Sequence, residues 1–167
     1  CLKQEKLIKL KHQILKKNKL ANTLCYNRIT NKRYKNGFIE EFRFKSKPHT
    51  LFSEIRCKCY DESGHKRIVP EFISQLNPFG LALWFMDDGN VTNDSFQFNT
   101  QSFTQEEKLF LINLLHTKFK IVCTVHKQGQ LYIPVFYRDK FISIIKPYII
   151  PSMKYKLIPY HLRKGSV

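Results

Sequence analysis

The chain is short of acid. Its 167 residues hold 13 aspartates and glutamates against 29 lysines and arginines, a formal charge of +16. The deficit is steepest in residues 1–47, with fourteen basic and three acidic side chains. So little negative charge predicts a polyanionic partner, because each phosphate neutralised releases counterions. Long apolar runs are also missing. None approaches the roughly 20 residues that a membrane span needs, and no signal peptide is visible. An anionic membrane surface is the weaker alternative to nucleic acid, since the phenylalanines and tyrosines are spread through strand-like stretches. The five cysteines are odd in number and irregular in spacing, which excludes a disulfide framework and points to reduced thiols in an intracellular or organellar compartment. Cys57, Cys59 and His65 do not read as a zinc site: a one-residue gap is too short and no second ligand pair follows. Residue 1 is cysteine, so the sequence is expected to continue upstream.

What is present is ample for packing: 43% of residues are hydrophobic and 14% aromatic, enough for one domain or two small halves sharing one core. Residues 3–17 place Leu7, Leu10, Ile14 and Leu15 on one helical face with lysines around the rest. Two strands follow, joined through Asn36-Gly37, a hairpin signal. In the second of them, Phe42 and Phe44 face one way while Glu41, Arg43 and Lys45 face the other. A short helix is expected around 50–59. Further on, Phe96 and Phe98 alternate with Gln97 and Asn99 as in a half-buried strand. Thr104 and Glu107 form a capping box that starts a helix running to about Thr117. A second hairpin follows, with Ile121, Cys123 and Val125 on one face and Val122, Thr124 and His126 on the other. A last helix, about 139–146, stops at Pro147. From 78 to 146 the order is helix, two strands, helix, two strands, helix, and residues 3–76 repeat most of it.

The stretch NPFGLALWFMDDGN, residues 77–90, is the sequence's sharpest feature. Pro78 suits a first helical turn and Gly89 the left-handed position that closes a helix. Leu81, Trp84, Phe85 and Asp88 share a stripe at the 3.6-residue period, so a carboxylate ends a greasy face. Two acids at a helix C-terminus oppose the helix dipole by about 0.3–1 kcal/mol each, a penalty that a cation would remove.

LALWFMDDG resembles the LAGLIDADG motif of homing endonucleases, in the subfamily whose motif reads LAYWFMDDG. The segments FNTQSFTQEE, IIKPYIIPSMKYKL and RIVPEFI resemble the motif's flanks there, so the likeness covers about residues 5–158. It implies an α+β fold of αββαββα halves packed motif helix to motif helix, with antiparallel, saddle-shaped sheets over DNA. Residues 77–158 would form the C-terminal half, with its motif helix at 79–89. Residues 1–76 would form a partial first half lacking its motif helix, and 159–167 a tail. The resemblance places a metal-binding, catalytic acid at Asp88, serving Mg2+ or Mn2+, with Asp87 supporting the helix end. It places basic groups beside the cleavage site at Lys156 and Arg67, where the subfamily favours lysine and arginine cannot act as a base.

Base edges would be read by Gln97, Asn99, Gln101, Thr124, His126, Lys127, Gln128, Gln130 and Tyr132. Arg28, Lys32, Arg33, Lys35, Arg43 and Lys45 would position the phosphate backbone. The subfamily carries two motifs in one chain, whereas this sequence shows one. The first motif lies upstream, or comes from a second polypeptide, or has been lost, leaving a metal-free protein that binds RNA as an intron maturase or organellar ribosome component. A symmetric homodimer is argued against by the partial first half.

Overall fold

The computed structural model describes residues 4–30, 33, 37–92 and 94–159. The chain divides into two compact units, Cys1–Glu54 and Ile55–Val167.

In the first unit, helix α1 (Glu5–Lys17) packs on an antiparallel hairpin of β1 (Cys25–Thr30) and β2 (Phe38–Arg43). Of the predicted apolar stripe, Leu7 is fully buried, while Leu10, Ile14 and Leu15 are half-buried. His12 shares the buried side: its Nε2 donates to the Asn22 carbonyl at 2.7 Å and its ring meets Phe44 at 5.3 Å. Phe42 and Phe44 thus face the helix, as their alternation predicted, with the Lys9 ammonium 5.0 Å from the Phe42 ring. Asn36 of the expected turn lies outside the described residues; Gly37 has φ +72°, the left-handed conformation such turns require. Helix α2 (Thr50–Cys59) begins in this unit and runs past its boundary at Glu54.

In the second unit, a short helix α3 (Pro70–Ile73) precedes α4 (Pro78–Asp88), β3 (Gly89–Val91), β4 (Phe96–Phe98), α5 (Gln105–Phe119), β5 (Thr124–Val125), β6 (Leu131–Ile133) and α6 (Arg138–Ile145). From α4 onward this is the expected αββαββα order. The four strands form one antiparallel sheet in the order β3-β4-β6-β5. The α5 capping box is complete, and the second carboxylate oxygen of Glu107 accepts from the Ile68 amide at 2.6 Å. The sheet buries Phe96, Phe98, Leu131 and Ile133 against α4 and α6. At the centre Phe85 meets Phe96, Phe98 and Phe141 at ring separations of 5.3, 5.8 and 5.2 Å, all edge-on. Cys123 is buried too, and desolvation pushes its thiol up to about 12.

Gly89 requires a correction. It lies outside the helix, opens β3, and has an extended backbone, φ −79° and ψ 145°. Glycine is needed for room: a Cβ would stand 2.5 Å from the Phe85 carbonyl oxygen and inside the Phe85 ring's contact distance. Gly89→Ala should therefore destabilise the fold by about 1–3 kcal/mol, the usual penalty of overpacking, measured by chemical denaturation. A loss under half a kcal/mol would mean that the helix-to-strand corner has slack.

Candidate nucleic-acid interface and acidic helix end

Helix α4 is started by its own sequence. Asn77 Oδ1 accepts from the Gly80 amide at 2.8 Å, and Pro78 occupies the first turn, where its missing N–H costs nothing. Leu81, Ala82, Phe85 and Met86 are buried, so the helix is anchored along its length and ends in two exposed carboxylates, Asp87 and Asp88. The Asp88 carbonyl accepts from the Asn99 amide at 3.1 Å, which fixes the helix end to the strand side of the sheet.

The cation that this end calls for belongs to the chain itself. Lys156, in the 3-10 turn Pro151–Leu157, sends its Nζ to the carbonyls of Met86 at 2.7 Å and Gly89 at 2.9 Å, with those of Phe85 and Asp87 at 3.4 Å. An ammonium has three protons and no acceptor, so it can satisfy several orphan carbonyls while opposing the negative helix terminus.

The sheet's outer face carries a continuous polar row. Register places Asn90 beside Gln97, Gln97 beside Tyr132, and Tyr132 beside Thr124. At about 4.8 Å between strands the row spans roughly 14 Å, comparable with the major groove's width of about 12 Å. Gln97, His126 and Tyr132 share a shallow hollow of about 340 Å³ with Thr92 and Asp94. Asn99 is exposed, with the Asn90 side-chain amide 3.4 Å away. Gln101 lies near the β5–β6 turn, which carries exposed Lys127 and Gln128, because Thr100 Oγ1 donates to the Gly129 carbonyl at 2.8 Å. Gln130 differs from the other expected base readers: its side chain is buried and its Nε2 lies 3.4 Å from Gln128 Oε1. Sequence reading missed Asn90, Thr92 and Asp94; alternation from the buried Gly89 would have pointed to Asn90.

In the first unit the basic residues divide. Arg28 lies on the Phe42 face, paired with Glu40 at 2.9 Å and stacked 4.0 Å from the Phe38 ring. Hydrogen bonds from Tyr26 and Arg28 hold the Glu40 carboxyl below its usual range. Arg43 and Lys45 occupy the opposite face, with Arg43 3.6 Å from Glu41. Arg33 is exposed, and Lys32 and Lys35 lie outside the described residues. In the second unit, Arg67 is 3.7 Å from Asp61, whose carboxyl is held low chiefly by the His65 backbone amide.

Among the described residues, no group of three His, Cys, Asp or Glu side chains could hold a metal ion. Asp88 offers the oxygen chemistry that hard divalent ions take, but the described residues do not complete a site around it. No described helix is long and apolar enough to cross a membrane.

The chain is 36% identical over 132 residues to the cytochrome b mRNA maturase bI2 of Debaryomyces hansenii, covering 75% of this chain and 50% of that protein. It is 39% identical over 98 residues to the intron-encoded endonuclease ai4 of Dictyostelium discoideum, covering 56% of this chain and 60% of that protein. The solved structure of the homing endonuclease I-WcaI bound to its DNA recognition sequence superposes with a TM-score of 0.73 at 28% identity, covering 90% of this chain and 71% of that one. The chain thus spans about half the length of the first of these relatives. With residues 2–141 matching the family as a whole, the chain belongs to the LAGLIDADG DNA endonuclease family.

Proposed function

We propose that the chain is part of a site-specific endonuclease that hydrolyses both strands of DNA at a long recognition site. The observation that carries this is the exposed Asp88 carboxylate, held at the end of a buried helix and tied through Asn99 to a sheet whose outer face is polar. The row Asn90, Gln97, Tyr132 and Thr124 reads base edges. Asp94 accepts from an exocyclic amino group, since a carboxylate is repelled by phosphate. Residues 77–158 act as one complete half and 1–76 as a partial half. The second acid of the centre comes from further polypeptide, as an upstream segment or a second chain. Asp88 would give one carboxylate oxygen to Mg2+ or Mn2+, which supplies Lewis-acid stabilisation of the phosphate. The relatives' names favour an organellar intron as the source.

The test is incubation of the chain, joined to its upstream reading frame where one exists, with a duplex DNA library and Mg2+. Cleavage is expected to survive Asp87→Asn and to be lost in Asp88→Asn. Cleavage that persists in Asp88→Asn would overturn the assignment. One observation favours a second reading: two relatives are named cytochrome b mRNA maturase. Tight binding of intron RNA without nicking of DNA would replace the nuclease with that role.

A further inference from the structure

We propose that a hollow at the C-terminal end of α1, lined by Lys16, Lys19 and Lys47, binds backbone phosphates of nucleic acid. Its first support is a left-handed lysine backbone, a conformation that among the described non-glycine residues only Lys19 and the α5 cap Lys120 adopt. Helix α1 closes in a Schellman arrangement: the Lys19 amide donates to the Lys16 carbonyl at 2.9 Å and the Leu20 amide to Leu15 at 2.8 Å. That motif sets its penultimate residue left-handed, and Lys19 has φ +61°. Glycine takes this conformation without strain, whereas a Cβ does not. Asn18, the Lys19 amide and the Leu20 amide do the capping, so the Lys19 side chain is retained at a local cost and takes no part in closing the helix. Strain of this kind at a polar surface residue points to use of the side chain.

The second support is placement. An isolated antiparallel bridge pairs Ala21 with Ser46, and the Lys47 amide donates to the Leu20 carbonyl at 2.9 Å. Residues far apart in sequence are thereby set around one hollow of about 390 Å³, bordered by Asn22 and Thr23 and, among the described residues, by no acid. Lys16 and Lys17 stand in the last turn and complement the helix dipole, which leaves Lys19 and Lys47 unaccounted for by it. Like charges gathered around one hollow repel each other, and a polyanion relieves that repulsion. Asn22 and Thr23 also border a neighbouring hollow lined by Arg43 and Lys45. The two form a basic track along one edge of the first unit, with hydroxyl and amide donors between the charges, a composition suited to successive phosphates.

This inference rests on nucleic acid being the partner. The test measures binding of the full chain to a labelled, mixed-sequence DNA duplex across a series of sodium chloride concentrations. Each phosphate contact contributes about 0.9 to the slope of log affinity against log salt. Lys19→Gly should reduce the steepness by about 0.9, and the triple variant K16Q/K19G/K47Q by about 2.7. Lys19→Gly should also raise Tm by about 2–4 °C, because it relieves the left-handed position. Weaker, less salt-dependent binding from a more stable protein is a result that lost structure cannot give. Unchanged slopes in both variants, with wild-type binding intact, would overturn the phosphate site and leave the nuclease reading standing. Wild-type protein that binds the duplex without salt dependence would overturn that reading as well.

Discussion

Replacing Phe85 with alanine is expected to cost about 3–5 kcal/mol of unfolding free energy, lowering Tm by roughly 6–20 °C. The side chain is fully buried, and its ring is enclosed edge-on by Phe96, Phe98 and Phe141. Three rigid rings from one strand and one helix cannot close over the vacated space without moving those elements, so the cavity persists. Cavity cost therefore adds to the lost transfer energy, which puts this site toward the upper part of the range for large-to-small core changes. The effect reaches the helix end because Phe85 is also what crowds Gly89. Phe85→Leu, which keeps most of the volume, should cost under about 1.5 kcal/mol. Denaturant midpoints of the two variants, compared at equal m-value, provide the check. A loss below about 1 kcal/mol for Phe85→Ala would mean that the aromatic cluster does not organise this core.

The sequence made local features visible and left distant contacts hidden. Thr104 and Glu107 sit three residues apart, and their reciprocal bonds follow from that spacing. The alternation of Phe96 and Phe98 with Gln97 gives the sheet's two faces directly. Gly89 was visible as a terminator, but its reason was not: the obstacle is a ring one turn earlier, and glycine's backbone freedom is not used. Arg28 shows a different limit. Alternation placed Arg43 and Lys45 opposite Phe42, but assigning Arg28 to a face depends on hairpin register, which puts Arg28 against Glu40. The hollow beside α1 was hidden for the same reason, since the Ala21 to Ser46 bridge that brings Lys47 near Lys19 leaves no periodic trace. Family likeness marked Asp88 and Lys156 as neighbours of one site, and neither residue's local sequence shows how they are joined.

Lys156→Met should lower stability by about 2–4 kcal/mol, a fall in Tm of roughly 5–15 °C. Two short bonds, to Met86 and Gly89, involve a charged donor, and hydrogen bonds to charged groups contribute about 1.5–3 kcal/mol each net of exchange with water, less where the contact is partly exposed. The helix terminus adds about 0.3–1 kcal/mol, because losing the cation leaves the dipole facing Asp87 and Asp88 unopposed. Methionine preserves the stem's volume, so the loss reports the ammonium and not the packing. Lys156→Arg should recover only part of it: a planar guanidinium spreads its donors in a fork and cannot converge on several carbonyls from one point. The contact is partly buried and short, so the difference between wild type and Lys156→Met should persist at molar salt, where surface attractions are screened. A base acting on water makes the opposite prediction for Lys156→Met, intact Tm with lost cleavage. In the proposed nuclease, an ammonium whose protons are committed to the carbonyls that end α4 holds the backbone from which Asp88 projects, so stability and cleavage should fall together.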